Sequence, residues 1–528
     1  MKNGFRILAL TAPLIAGGSI VHAETVESPR TPDIVIGARE IQTYGTSFYE
    51  VTEALALRAG LTFLSSGDTA SEDWILIRGL PRDSSRNVLV LLDDVPLNNA
   101  ASEGVELLDV PLSQVTRVEV WKPPLPARFG GYHAVIRFVT ADPERRHAAR
   151  AQAAGGSFST YRADLGGTTG ARNLWVALDV GMTNSANLSG LARTPPLETL
   201  KYQDRSYWDI APSLFAHFSP RAGTDLRLVS LFLKGRKQFA DDEYRNRWFW
   251  NTSLALTQAL GKRVELCATL FRSMEDYFLR LKMHPDISSQ ERSKQGGRAH
   301  ATIALPLRQS VTTGAEFALN EVRDPQGLSS FNTAAAFLEY AATPIDPIDV
   351  TVGVRADASD LGPPDFNPSA TVRGRPWRGG VATARWSRST RWPSVGEVTP
   401  GTRLRGESLE GVEAGFRQSF LADRLALGAT WFYLSLDREF TIDASTGTYG
   451  NSPLRTMSRG LEFDVSAEVI SGLRAFASYT LNHVRREGDA IPVAYGPPEH
   501  SATAGLFFGD KKTTARLSAR YIGSKFGT

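Results

Sequence analysis

From Arg145 to its end, this chain repeats short segments in which apolar and polar residues alternate one for one, with no helical stretch between them. Val350, Val352, Val354 and Ala356 share one face, and Thr351, Gly353, Arg355 and Asp357 the other. Leu461, Phe463, Val465 and Ala467 oppose Glu462, Asp464 and Ser466 in the same way, and Ala515, Leu517, Ala519 and Tyr521 oppose Arg516, Ser518 and Arg520. Successive side chains of a strand point to opposite faces, so a period of two predicts strands. A soluble sandwich alternates too, and one such segment decides little. A long run of them predicts a sheet with one apolar face and one wet face. Between lipid and a watery lumen such a sheet has to close, because unpaired backbone is untenable in hydrocarbon.

The spacers alternate as well. Short ones near 168–171, 219–224, 261–263 and 305–308 predict periplasmic turns, and longer ones near 183–205, 235–244, 282–296, 322–330 and 359–367 predict outward loops. Continued to the end, this reading gives about 19 strands, starting with an upward one. Trp248, Trp250, Trp431 and Tyr433 lie near segment ends, as an aromatic girdle requires.

Residues 1–23 have the form of a secretory signal: Lys2 and Arg6, a short apolar run, then Val21-His22-Ala23 as a small-residue cleavage site. That run is too short to span a bilayer, for which about 20 apolar residues are needed. A net charge of +3 gives no polyelectrolyte argument for nucleic acid, and one cysteine, Cys267, excludes an intrachain disulfide. HExxH, CxxC, strand-borne GxSxG and P-loop motifs are absent from the sequence, and its eight histidines do not cluster at ligand spacing. The residues therefore predict neither an enzyme nor a bound cofactor or metal.

Residues 74–140 read WILIRGLPRDSSRNVLVLLDDVPLNNAASEGVELLDVPLSQVTRVEVWKPPLPARFGGYHAVIRFVT. Short apolar runs broken by Gly, Pro, Asn and Ser predict a compact α+β unit. An Ile-Arg-Gly, an apolar strand ending in Asp, an Arg-x-Glu-Val, a Phe-Gly and an apolar run ending in Thr occur in that order. The stretch resembles the plug domain of TonB-dependent outer-membrane receptors. In the later segments, Arg391-Trp392-Pro393-Ser394, LRGESLEGVEAGF at 404–416, Gly450-Asn451 and Arg459-Gly460-Leu461-Glu462 resemble the barrel motifs of the same family, in its order.

The resemblance implies a mostly β protein: a transmembrane antiparallel β-barrel filled by an N-terminal α+β plug. It implies a signal peptide at 1–23, an N-terminal segment at 24–45, a plug at 46–142 and a barrel at 143–528. Asp33, Ile34, Val35, Ile36 and Gly37 resemble a TonB box, the extended segment that offers its backbone to the TonB energy-transducing complex of the inner membrane. Arg78, Arg117, Glu413 and Glu462 match two plug arginines and two wall glutamates that meet in the family. The alternation independently turns both glutamates toward the lumen. A ligand is expected over the plug apex, at 81–87 and 98–106, where Arg82, Arg86, Asn98 and Asn99 are available and the arginines favour an anionic chelate. The expected cargo is a ferric siderophore, with a cobalamin-like chelate, a non-transporting receptor and a porin as alternatives; the expected surroundings are outer-membrane lipid.

The chain departs from the family pattern at Asp94, where Gly is usual, at Pro123-Pro124, and at Arg137, where Asn is usual. The segment 129–136 is about two residues short of the family's form. Family barrels have 22 strands, so about 19 implies a chain lacking its last strands and an open edge, with a genuinely shorter barrel as the alternative.

Overall fold

A computed structural model describes residues 32–37, 41, 55, 57–58, 60–64, 74–79, 87–107, 110, 112–140, 147–156, 159–186, 206–240, 243–281, 284–398, 404–443, 446–488, 498–509 and 514–523. The signal-like residues 1–23 and both apex arginines, Arg82 and Arg86, lie outside this set.

The N-terminal unit contains β1 (Ile34–Gly37), β2 (Leu61–Leu64), β3 (Trp74–Ile77), β4 (Val88–Leu92), β5 (Val95–Pro96), β6 (Val115–Trp121) and β7 (Ala134–Thr140). Five of these form one sheet in the order β1-β6-β7-β4-β5, with β4 parallel to β7, while β2 and β3 pair separately. β4 is buried at every residue and β7 at all but Arg137, as expected of strands covered on both faces.

Then follow β8 (Ala148–Gly156), β9 (Thr160–Ala171), β10 (Leu174–Ser185), β11 (Tyr207–Arg221), β12 (Thr224–Ala240), β13 (Glu243–Leu260), β14 (Val264–Leu281), β15 (His284–Leu305), β16 (Gln309–Asp324), β17 (Gly327–Ile345) and β18 (Ile348–Ser359). β19 (Gly362–Gly374), β20 (Gly380–Arg391), β21 (Glu407–Phe420) and β22 (Leu425–Asp437) continue the wall. A small hairpin, β23 (Phe440–Ile442) with β24 (Tyr449–Asn451), interrupts it before β25 (Thr456–Ile470), β26 (Leu473–Arg486), β27 (His500–Gly509) and β28 (Thr514–Ile522).

Among the described residues, 19 wall strands form a closed ring in which β28 lies beside β8. The count agrees with the sequence; the expected open edge does not appear. Because each consecutive pair in the ring is antiparallel, an odd number leaves β8 and β28 running in the same sense, so that the seam is parallel. Alternation survives in three dimensions. On β13, Arg245, Arg247, Phe249 and Asn251 are buried inside, whereas Trp248, Trp250 and Leu254 are exposed outside.

The outward loops are shorter than expected. Residues 235–244, 282–296, 322–330 and 359–367 are mostly strand: β12 to β17 extend well beyond the roughly 10 residues that cross a bilayer, and β18 and β19 slightly beyond it. Where both faces of a hairpin are wet, the binary pattern fades and the sequence reads as polar loop.

The sheet's core residues Val88, Val90, Val118, Val120, Ile136 and Phe138 join one apolar cluster with Phe215, Val229, Leu231 and Phe249 of β11–β13. The N-terminal unit therefore sits inside the ring and is seated on that wall by apolar contact.

Candidate functional site

Away from the apolar seat, the plug and the wall meet through charge. Arg78 follows β3 at φ +53, a conformation costly for a non-glycine residue and characteristic of sites under external constraint. Its guanidinium, 1% exposed, donates to both oxygens of Glu462 at 2.9 Å, to Glu413 at 2.5 Å and to the Pro123 carbonyl at 2.5 Å. The ring of Phe432 lies 4.8 Å from its carbon, and Ser458 donates to its carbonyl at 2.7 Å. Burial opposes the Arg78 charge, but the two carboxylates outweigh it and raise an already high pKa further.

Lys122 reaches Glu462 from the end of β6 at 2.5 Å. Its backbone N–H donates to Asp33 at 2.7 Å, and Asp33 pairs closely with Arg385 of β20, which comes within 3.5 Å of Glu413. The result is a ring of alternating charge: Asp33, Arg385, Glu413, Arg78, Glu462, Lys122. Burial opposes the Asp33 charge, but Arg385, Lys122 and Arg78 outweigh it and hold its carboxyl below the usual range. Gly60 makes the ring possible, since a Cβ there would collide with the Glu462 carboxylate.

Three of the four residues expected here are present. Arg117 is not: its side chain is 48% exposed and pairs with Glu119 at 2.6 Å. It lies five residues before Lys122 on one strand, about 17 Å away, which puts it at the other end of the sheet. Lys122, Asp33 and Arg385 were not expected. Arg385 stands opposite Glu413 in the β20–β21 register, a relation the sequence does not disclose.

Asp33–Gly37 is not a free tail in this structure. Its residues Ile34–Gly37 are the edge strand β1, paired antiparallel to β6 with Ile34 opposite Val120 and Gly37 opposite Arg117, and Ile36 is 1% exposed.

A second set of ion pairs lies toward the outward side. Glu106 accepts from Arg245 at 2.6 and 3.0 Å and lies 3.4 Å from Arg247. Burial works against its charge, yet both arginines hold the carboxyl below its usual range. Glu103 takes Lys294 at 2.8 Å and the Tyr132 hydroxyl at 2.7 Å, and Arg128 pairs with Glu339 at 3.0 Å.

Asn98 and Asn99 both bond to the plug's own backbone. Asn98 is fully buried and its amide serves Val90 N–H and the carbonyls of Val88 and Glu103. Asn99 ties the turn 99–104 by accepting from Ala101 and Ser102 N–H and donating to the Gly104 carbonyl.

Two of the departures from the family pattern are partners of each other. Arg137 pairs with Asp94 at 3.1 Å and donates to the Asp93 carbonyl at 2.6 Å, which closes the turn between β4 and β5.

A cleft open to solvent, with about 920 Å³ of space, lies between the plug segment 128–132, the inside of β15–β18 and the start of the β20–β21 connection. Phe129, Tyr132 and Phe331 supply apolar wall, Lys294, Arg298 and Arg355 supply charge, and Trp392 with Pro393 reaches in from the β20–β21 connection. Gly130 admits the Arg355 side chain where a Cβ would clash. The connection is held by Arg391, 2% exposed, which pairs with Glu407 at 2.7 Å and with Glu397 at 3.0 Å. Val395 and Gly396 N–H then donate to the carbonyls of Ala100 and Ala101, at 3.1 and 2.8 Å. The Arg-x-Pro-Ser motif thus positions a wall loop on the plug apex. Beside it His133 is fully buried, with neither ring nitrogen bonded to a described residue.

The family model for the TonB-dependent receptor plug domain matches residues 26–134, and the model for the TonB-dependent receptor-like β-barrel matches residues 128–527. The structure resembles a mutant of the ferric enterobactin receptor PfeA of Pseudomonas aeruginosa, bound to enterobactin, with a TM-score of 0.78 at 14% identity over 94% of this chain and 87% of that one. It resembles the siderophore receptor PirA of Acinetobacter baumannii with a TM-score of 0.77 at 12% identity, over 96% of this chain and 89% of that one. The FrpB iron transporter of Neisseria meningitidis (F3-3 variant) gives 0.76 at 14% identity over 93% and 86%. At such identity these likenesses concern the fold. No curated protein matches the sequence significantly.

Proposed function

This chain belongs to the TonB-dependent receptor family, with plug and β-barrel in one polypeptide, and from that premise we propose that it imports a scarce chelate across the outer membrane of a Gram-negative cell. The ligand enters from outside, settles over the plug near the cleft under Trp392, and passes when the plug is displaced. No covalent bond of the ligand is made or broken. The inner-membrane TonB complex supplies the work by capturing residues 33–37 through strand addition.

One observation carries this reading. The segment proposed as the energiser's handle is built into the same buried charge ring that fixes the plug to the wall, through Asp33. Force on the segment is thereby delivered where the plug is held.

A ferric siderophore is the proposed cargo. The similar structures described as ferric enterobactin, siderophore and iron receptors favour it over a cobalamin-like chelate. The test is uptake of radiolabelled ferric chelates by cells carrying the intact chain or a deletion of 33–38. Deletion is expected to abolish uptake while surface binding persists. Unchanged uptake would exclude energised import, and binding without uptake in both strains would favour a non-transporting receptor.

A further inference from the structure

The outward face of the barrel carries a group of cations that the lumen does not explain. On β12, Lys234 and Arg236 point away from the lumen, between the buried Leu233 and Lys237. Lys234 Nζ lies 4.5 Å over the Trp248 ring and the Arg236 guanidinium 4.0 Å over Tyr244. The β13–β14 register places Arg280 directly opposite Tyr244, and Tyr244 stacks on Phe278 at 5.8 Å. Two arginines from strands about 10 Å apart therefore flank one tyrosine, with Lys234 one row nearer the membrane.

Among the described residues no carboxylate pairs with Lys234, Arg236 or Arg280; Asp276 shares this outward face but forms no ion pair with them. The inner face of β13 and of the neighbouring β15 is different: Arg245, Arg247, Arg292 and Lys294 each have a carboxylate partner. Those four inner cations are ion-paired, whereas among the described residues Lys234, Arg236 and Arg280 have no carboxylate, Arg236 donating only to the neutral Gln238 amide.

Toward the membrane the chemistry changes in order. Trp248 and Trp250 are 46% and 48% exposed, and below them Leu254 and Leu270 are 48% and 64% exposed. Cations, then aromatic rings, then leucines, interrupted on β14 by the exposed Asp276 and Arg272, follow the profile of one amphiphile: an anionic headgroup, a glycerol or sugar boundary, and acyl chains. The rings hold Lys234 and Arg236 in place, so that little freedom is lost when an anion arrives, and guanidinium forks suit phosphate.

We propose that the outward faces of β12–β14 form a binding site for a phosphorylated lipid of the outer leaflet, its phosphate held by Lys234, Arg236 and Arg280 and its chains lying on Leu254 and Leu270. The proposal rests on the outer-membrane reading given above. The experiment uses the full chain, purified in mixed micelles doped equally with phosphatidic acid and phosphatidylcholine, with retained lipid counted by native mass spectrometry. The wild type is expected to retain phosphatidic acid roughly ten-fold over phosphatidylcholine. The triple variant Lys234→Gln/Arg236→Gln/Arg280→Gln is expected to lose that preference. Arg417→Gln, on a distant strand where Arg417 lies 3.6 Å from Asp464, is expected to keep it. Absence of preference in the wild type, or an undiminished preference in the triple variant, would overturn the site. Heat-modifiable mobility and outer-membrane fractionation report separately on folding and on the membrane reading, so failure of that reading is distinguishable from failure of the site.

Discussion

At the scale of single residues, Arg78 and Arg117 show what a motif can and cannot locate. Both match the family's plug arginines, yet only Arg78 lies among wall carboxylates. Glu413 and Glu462 were legible from their match to the family's barrel motifs, and alternation independently turns them inward. Lys122, Asp33 and Arg385 were not, since their meeting depends on the depth at which the plug sits. Removing Glu462 leaves two buried cations short of an anion. Glu462→Gln is expected to cost about 3–5 kcal/mol of plug seating, against about 1 kcal/mol or less for the exposed Arg117→Gln, read from urea midpoints or hydrogen exchange in the plug. His133 provides a second test. Burial, with Arg391 nearby, lowers its pKa from 6.5 to about 3, so the folded plug binds it neutral while the unfolded chain protonates it near 6.5. Its contribution is fully present above pH 6.5 and declines as pH falls toward 3. The thermal unfolding temperature of the plug is expected to drop between about pH 7 and about pH 5, and His133→Asn to remove that part of the drop.

At the scale of elements, strands were easier to read than the connections between them. β18, β25 and β28 follow the alternation that predicts them, whereas the tops of β12 to β19 read as loops in the sequence because both their faces are wet. The β20–β21 connection is an element whose motif was visible but whose role was not. Arg391 and Glu397 fold it inward, and Gly396 lets its backbone approach Ala101. A Cβ at 396 would come within 2.6 Å of the Ala101 carbonyl. Gly396→Val is therefore expected to lift the connection from the plug apex, seen as faster proteolysis at 392–398 and quicker ligand release, with the barrel still heat-modifiable.

At the scale of the whole molecule, the plug is seated by apolar packing on β11–β13 and by charge on β20, β21 and β25. The strand number was countable because each wall strand carries its own alternation. Closure through a parallel seam was not, because period two says nothing about which strands become neighbours around a ring. In the proposed import cycle, β1 must leave β6 for cargo to pass. Gly37 and Arg117 are Cα partners across those strands, Gly37 has room for a side chain, and Arg117 is exposed, so Gly37→Cys/Arg117→Cys should form a disulfide. The decisive measurement is radiolabelled ferric-chelate uptake by cells expressing this variant, oxidised and then reduced. Binding without import when oxidised, with import restored by reductant, is the predicted result; equal import in both states would contradict it.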